Sequence, residues 1–323
     1  MFGKAKLAGS STAGTTSRSW LRSWQFVLSI VVVVVALYIA GMVWAHQIND
    51  DLDFQPPANY QTSGGSYAVD MAISLINREI NETGWVPNNP FPFPSYFLDN
   101  MPNFQLGLMY AISRFGIEMT DSLGRARGSS AADPDLDKAA GLLKYDGTVW
   151  LWEPSISLLP TAHAESQYEA GMKVLENYNR RLAAGQADFD RRADNLITVL
   201  DRFAADLGST SAILADRAEA PSFGWFDRHA DDDFYNAKGR LYGYYKILES
   251  LGKDFQHVLA ERNAEALWAN MLESFRIAAG MDPLIVSNGA PDGLLFPNHL
   301  AAQGFYLLRG RTQLRELSNV LAK

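Results

Sequence analysis

Along most of this chain apolar positions recur every three to four residues, and in one stretch the alternation stops. From Phe26 to Ala45 the sequence FVLSIVVVVVALYIAGMVWA holds twenty residues without a charge, with Trp24 just before it and Trp44 at its end. At about 1.5 Å of rise per residue such a run spans roughly 30 Å, the thickness of a bilayer's hydrocarbon core. The five consecutive valines Val31 to Val35 would suit a strand. A lone strand, however, leaves its backbone unsatisfied in lipid, and a helix does not. The pattern predicts a transmembrane helix over residues 25–45, after a basic tail over 1–24. A cleaved signal peptide is the competing reading. The run exceeds the usual h-region, and the small-residue site Val43-Trp44-Ala45 carries a bulky Trp, so an uncleaved anchor is expected.

Beyond the anchor, residues 46–65 are acidic, then Pro-Pro, then Gly-Gly, without a period, and read as a flexible tether. Ser66 is placed to cap a helix to about Asn81, with Val69, Ile73, Ile76 and Ile80 on one face and Gly84 beyond its end. A second helix should start near Pro102 and bury Phe104, Leu108, Ala111, Phe115 and Met119. Asp135 to Leu143 predicts a short helix. From Ala162 one stripe runs through Tyr168, Met172, Leu175, Tyr178 and Leu182. After Gly185 another follows through Phe189, Ala193, Leu196, Val199, Phe203 and Leu207. Together they predict an antiparallel helical hairpin closed by Gly185 and ending before Gly208. Further helices are expected over Asp232–Lys253, Phe255–Ala279 and Asn298–Ala322. With no strand-like alternation of any length, the fold class is all-α: one membrane helix and then, over 66–323, a domain of about seven to nine helices with long Pro- and aromatic-rich loops.

The most irregular of those loops is WVPNNPFPFPSYFLDNMPNF, residues Trp85 to Phe104. Five of the chain's fourteen prolines lie between Pro87 and Pro102, interleaved with Trp85, Phe91, Phe93, Tyr96 and Phe97. Proline excludes helix interiors and sheet centres, so the segment must be extended, either strapped over its own core or offered to a partner. A second aromatic concentration comprises Phe223, Trp225, Phe226, Phe234, Tyr235, Tyr242, Tyr244 and Tyr245. Tyr242 and Tyr245 share a helix face that Tyr244 does not, which suggests that some of them line a groove or a second interface.

Charge sets the expected topology. Lys4, Lys6, Arg18 and Arg22 precede the apolar run with no acid among them, whereas Asp50, Asp51 and Asp53 follow it. Bases remain cytoplasmic, so the amino terminus should face the cytoplasm and the domain, in a bacterium, the periplasm. The net charge of −8 for the whole chain leaves −12 on the residues after the helix, since four bases and no acids come first. Such a domain should not seek nucleic acid. Having no cysteine, the chain makes no disulfide and does no thiolate chemistry.

Candidate chemistry is sparse. Asp133, Asp135 and Asp137 alternate like the first half of a calcium loop, but Lys138 and Lys144 occupy the positions that need Gly and Glu, so a helix start is expected. Glu165-Ser166 followed by Tyr168 looks like the catalytic-acid segment of lytic transglycosylases, which would make Glu165 a general acid on cell-wall glycan. The resemblance covers four residues, and the segment expected downstream is replaced by GMKVLENYN. Ser250 and Lys253 have SxxK spacing without the Lys-Thr-Gly partner. His229 beside Asp231, Asp232 and Asp233 reads as a helix start rather than a metal site. No metal or cofactor is implied, and no anchoring residue pair for a small molecule is visible.

The segments WVPNNP, DNMPNFQLG, YNRRLAAGQADFDRRADNL, DLGSTSAIL, DDDFYNAKGRLYGYYKIL and PNHLAAQGFYLLRGR together resemble a domain-of-unknown-function family of proteobacterial membrane-anchored proteins. The resemblance covers nearly all of the chain beyond the anchor and implies a single-pass inner-membrane protein. It transfers no catalytic residue. The reading that results is a periplasmic scaffold or accessory subunit held in the bilayer, binding an envelope protein through Trp85, Phe91, Phe93, Tyr96, Phe97, Trp225, Phe226, Tyr242 and Tyr245. The alternative is a glycan-cleaving enzyme acting through Glu165. Oligomeric state is left open.

Overall fold

A computed structural model describes residues 16–124, 132–152, 159–219, 228–289 and 297–323. Among these there are ten α-helices and no strand; Asn288 and Asn298 form an isolated antiparallel bridge. Helix α1, Thr16–Ala45, is a unit by itself. Its stretch Trp24–Ala45 has a mean hydropathy of 2.9 and none of it is buried, so it is long and apolar enough to cross a membrane, a property signal sequences share.

Residues 45–323 form the second compact unit. Its helices are α2 (Tyr67–Asn77, continued by π-helical turns over Arg78–Gly84), α3 (Asn100–Glu118), α4 (Pro134–Leu143), α5 (Ala164–Ala183), α6 (Ala193–Glu219), α7 (Arg228–Asp254), α8 (Gln256–Glu261), α9 (Glu265–Ala279) and α10 (His299–Leu321). Local chemistry sets their starts. The Ser66, Asp99, Asp133 and Asn298 side chains each accept a backbone N–H of the first turn that follows. The α2 start is held twice over, because Asp254 at the end of α7 also accepts from Ser66 Oγ (2.8 Å), Tyr67 N (3.1 Å) and Ala68 N (3.0 Å).

Helix α7 is the centre of the domain. It packs on α3 most extensively and also on α2 and α9, while α6 pairs with α10 and α5 with α4. Surrounded in this way, it buries Phe234, Lys238, Leu241, Tyr242, Tyr244, Lys246, Ile247 and Ser250, positions that point in every direction around its axis. The contact with α3 is backbone against backbone. A Cβ on Gly239 would overlap the carbonyl oxygen of Phe104, and one on Gly107 would overlap that of Asn236.

Three expectations change. First, α5 and α6 are no hairpin. Gly185, at φ +70°, does end α5, but the connector carries Phe189 into the core beside Phe255 (ring centroids 6.0 Å apart) and ties Asp190 N to Leu123 O, which sends α6 to α10 instead. Helix α6 also continues through Gly208, whose bare backbone accommodates the Arg311 guanidinium. Second, the helix expected over Phe255–Ala279 is two, broken where Asn263 adopts φ +52°, a left-handed conformation asparagine tolerates.

Third, residues 46–65 are laid on the domain rather than hanging free. Asp50 pairs with Lys238 at 2.7 Å, Tyr242 donates to the Asp51 carbonyl (2.8 Å), Lys246 donates to the Leu52 carbonyl (3.1 Å), and Lys253 reaches Gln55 (3.1 Å). Lys238, Tyr242, Lys246 and Lys253 descend one side of α7, so the strap follows that helix. Both Lys238 and Lys246 are fully buried with their ammonium groups on strap atoms, and burial pulls the Lys246 pKa below its ordinary value. A composition rich in Asp, Gln and Pro hides this, because much of the docking uses backbone carbonyls, whose positions no side-chain pattern reveals.

Candidate functional site

The loop between α2 and α3 has a buried base and an exposed tip. At the base, Trp85 is 4% exposed, donates its indole N–H to the Gly147 carbonyl (2.9 Å) and meets the Tyr168 ring edge-on at 5.2 Å. Val86 N donates to Gln105 Oε1 (3.0 Å), and Gln105 in turn donates to Glu79 Oε2 (3.0 Å) and the Gly84 carbonyl (2.9 Å). Asn88 donates to the Val149 carbonyl (3.0 Å) and to Glu165 Oε2 (2.7 Å). Across the loop, Asn89 donates to the hydroxyl of buried Ser95 (2.8 Å). Prolines remove donors that would otherwise need partners in an extended segment, and the remaining polar side chains bind it to α2, α3, α5 and the turn after α4.

From this base the tip projects four aromatic side chains: Phe91 is 68% exposed, Phe93 47%, Tyr96 54% and Phe97 53%. The 3₁₀ turn Pro94–Phe97 sets Tyr96 and Phe97 side by side, and Phe91 lies against both. Ring centroids lie 6.1 Å (Phe91–Tyr96), 6.4 Å (Phe91–Phe97) and 5.3 Å (Tyr96–Phe97) apart, each pair near perpendicular. Edge-to-face contacts of this kind stabilise a cluster beyond its area burial, here in water on one side.

The other sequence candidates fall elsewhere. Tyr242 and Tyr245 are inside the core, 0% and 6% exposed, and so is Tyr244, because α7 is enclosed on all sides and needs no groove for them. Trp225 and Phe226, with Phe223, lie outside the described residues. Glu165 stands in the first turn of α5, where it accepts from Asn88, 3.4 Å from His163 Nδ1. That nitrogen already accepts the Ser166 N–H at 3.0 Å, as the helix cap, and so is not free to donate to the carboxylate. Glu165 thereby fastens the loop to α5. Asp133 caps α4 and shares Arg181 with Asp135 at 2.7 and 2.6 Å, which leaves them as a helix start. Among the described residues no group of three His, Cys, Asp or Glu is placed to hold a metal.

Near the foot of the loop, Asp99 and Asp232 neighbour Asp231, and the Asn100 amide nitrogen donates to Asp231 at 2.6 Å. Burial first, then the two neighbouring carboxylates, push the Asp231 pKa up to about 7. A raised carboxylate pKa means the folded state holds the proton more tightly than the unfolded one. Its share of stability is therefore full below about pH 4 and is lost as the pH rises towards 7. Replacing Asp231 with Asn should raise stability at pH 8 by about 1–2 kcal/mol, discounted for the group's partial exposure, and change little at pH 4. Urea denaturation of both proteins at the two pH values checks this; an equal difference at both would remove the assignment.

The uncharacterised family of bacterial proteins designated DUF2333 matches this chain over residues 17–224 and 220–323. The chain belongs to that family. The first matched segment begins inside α1, so the apolar helix and the aromatic loop both fall within the DUF2333 match. No curated protein and no solved structure matches the chain. Family membership therefore gives a bacterial setting and leaves the function to the geometry.

Proposed function

We propose that this DUF2333 protein is a membrane-held docking subunit: α1 anchors it in the inner membrane with the basic tail inside, and the periplasmic domain captures an envelope protein on the Phe91, Phe93, Tyr96 and Phe97 tip. The observation that carries the reading is an exposed aromatic cluster on a base held by hydrogen bonds from Trp85, Asn88 and Asn89. Aromatic side chains are enriched at the centres of interfaces, and a tip whose rings are already positioned loses little conformational entropy on binding. Packing of the domain does not require the rings to face water. The bases Lys4, Lys6, Arg18 and Arg22 before the apolar stretch and the acids after it support the orientation.

Affinity capture of the full-length protein from detergent-solubilised membranes tests the proposal. The wild-type chain should retain an envelope protein in stoichiometric amount. Substituting Phe91, Tyr96 and Phe97 together with Ser should remove it while leaving circular dichroism and melting unchanged, since all three are more than half exposed. Identical capture by both proteins, or absence of the full-length chain from the membrane fraction, would defeat the reading.

A further inference from the structure

A cleft of about 410 Å³ opens along the outward side of α3, between the turn after α4 and the side of α7 that carries Arg240. Its rim holds three cations, Arg114, Lys144 and Arg240, and no carboxylate lines it. This is an unusual concentration in a chain of net charge −8.

The two arginines are held without being neutralised by direct hydrogen bonds to acids. Arg240 donates to Asn236 Oδ1 (2.9 Å) and Thr210 Oγ1 (3.2 Å), and its guanidinium lies over the Tyr110 ring at 3.9 Å. All three partners are neutral, and together they fix its plane. Arg114 has a buried Nε with no hydrogen bond. Its nearest acids, Asp206 and Glu118, are each 3.6 Å away, beyond hydrogen-bonding reach. Asp206 does not line the cleft and has both oxygens occupied, accepting from the Tyr110 hydroxyl at 2.6 Å and from the Tyr244 hydroxyl. Arg114 Nε (3.6 Å) and the Tyr110 hydroxyl (2.6 Å) approach the same Asp206 oxygen while Arg240 covers the Tyr110 ring, so both guanidiniums lie around one tyrosine.

Apart from Ser113 and Asn236 the remaining lining is apolar or aromatic, including Leu106, Met109, Ile117 and Tyr145. A cavity of a few hundred Å³, mostly apolar with a few fixed charges, is the usual form of a small-molecule site. We infer that the cleft binds a small organic anion, with a carboxylate, sulfonate or phosphate head on Arg114 and Arg240 and an aryl or alkyl body against Leu106 and Tyr145. Lys144, exposed at the rim, steers the anion in. Charge-assisted hydrogen bonds from two arginines supply the affinity for the head. The far end of the cleft, Gly147 and Tyr168, is the pair that seats Trp85, so the site adjoins the base of the aromatic loop.

Isothermal titration of the full-length protein in zwitterionic detergent with phenylphosphonate tests this. Saturable binding is expected, weakening as salt rises, with inorganic phosphate weaker for want of the apolar body. Arg114→Gln and Arg240→Gln should each weaken phenylphosphonate at least tenfold. Lys144→Glu, at an exposed turn position whose change does not threaten the fold, should weaken it severalfold. Failure to saturate, or wild-type affinity in Lys144→Glu and in Arg240→Gln, would overturn the proposal. Titration with dihexanoyl phosphatidylglycerol alongside identifies the source of the anion: displacement of phenylphosphonate indicates a lipid, and its absence a free solute.

Discussion

Gly239→Ala is expected to cost the domain its cooperative fold. One added methyl would occupy the position of the Phe104 carbonyl oxygen, and the reciprocal approach of Gly107 to the Asn236 carbonyl leaves α3 and α7 no direction in which to slide. A side chain could rotate away from the intruding carbon; a helix backbone cannot. The helices must separate, which opens voids around Phe104, Leu108, Leu241 and Tyr242, all fully buried where they meet. Overpacking usually costs about 1–3 kcal/mol, and with the loss of packing added at least about 4 kcal/mol is expected here. Alanine's better helix propensity returns only about 1 kcal/mol. Total stabilities are about 5–15 kcal/mol, so the full-length chain in detergent should melt about 10 °C lower or more, or be recovered unfolded. Gly141→Ala is the control. A Cβ there meets nothing within 4 Å, so the same change should be neutral or slightly stabilising. A Gly239→Ala melt within two or three degrees of wild type would mean that the α3–α7 contact is not as close as described.

That contact was present in the sequence as Gly239-x-x-x-Gly243, a small-residue spacing that lets helices approach closely. It differs from the signals that located the helices. Apolar periodicity reports which face of a helix is covered, and it placed α2, α3, α4, α7 and α10 to within a few residues. It carries no information on which helix does the covering. The supposed α5–α6 hairpin shows the difference: both stripes were real, but their partners are α4 and α10. Likewise, the density of tyrosines in α7 suggested a groove only while one buried face was assumed. A helix packed between α2, α3 and α9 and covered by the strap has none to spare.

The aromatic loop was legible because proline and aromatic residues in alternation admit few conformations. Which of its rings would be base and which tip was not, since that depends on the Gly147 carbonyl and on Asn88 reaching α5. The anion cleft was invisible for a simpler reason: Arg114 and Arg240 are 126 residues apart, and nothing local distinguishes either from an ordinary surface arginine.

Arg78→Met should destabilise the domain by about 3–5 kcal/mol, because it leaves a buried charge without its partner. Arg78 and Glu79 are 1% and 0% exposed, paired at 2.7 Å, at the point where α2 widens into π-helical turns. Arg78 also donates to the Tyr242 hydroxyl (2.7 Å) and lies over Phe54 at 4.9 Å, while Glu79 accepts from Gln105. Tyr242 passes the chain of hydrogen bonds on to Asp51, and Gln105 passes it to Val86. One ion pair thus joins the strap that follows the apolar helix to the base of the aromatic loop. With methionine at 78, Glu79 keeps a single neutral donor in a site closed to water, Tyr242 loses its donor, and Phe54 loses the cation above it. If the loss comes from the stranded carboxylate, adding Glu79→Gln should restore more than half of it, and the pair will be non-additive in urea denaturation of the full-length protein. If the loss comes from packing, the second change will only add to the first. Limited proteolysis separates the two consequences further: in Arg78→Met, cleavage within residues 49–57 should precede cleavage of any core helix, because the strap depends on Tyr242 and Phe54 being held. Equal protection of the strap in both proteins would show that Lys238 and Lys246 hold it without help from the buried pair.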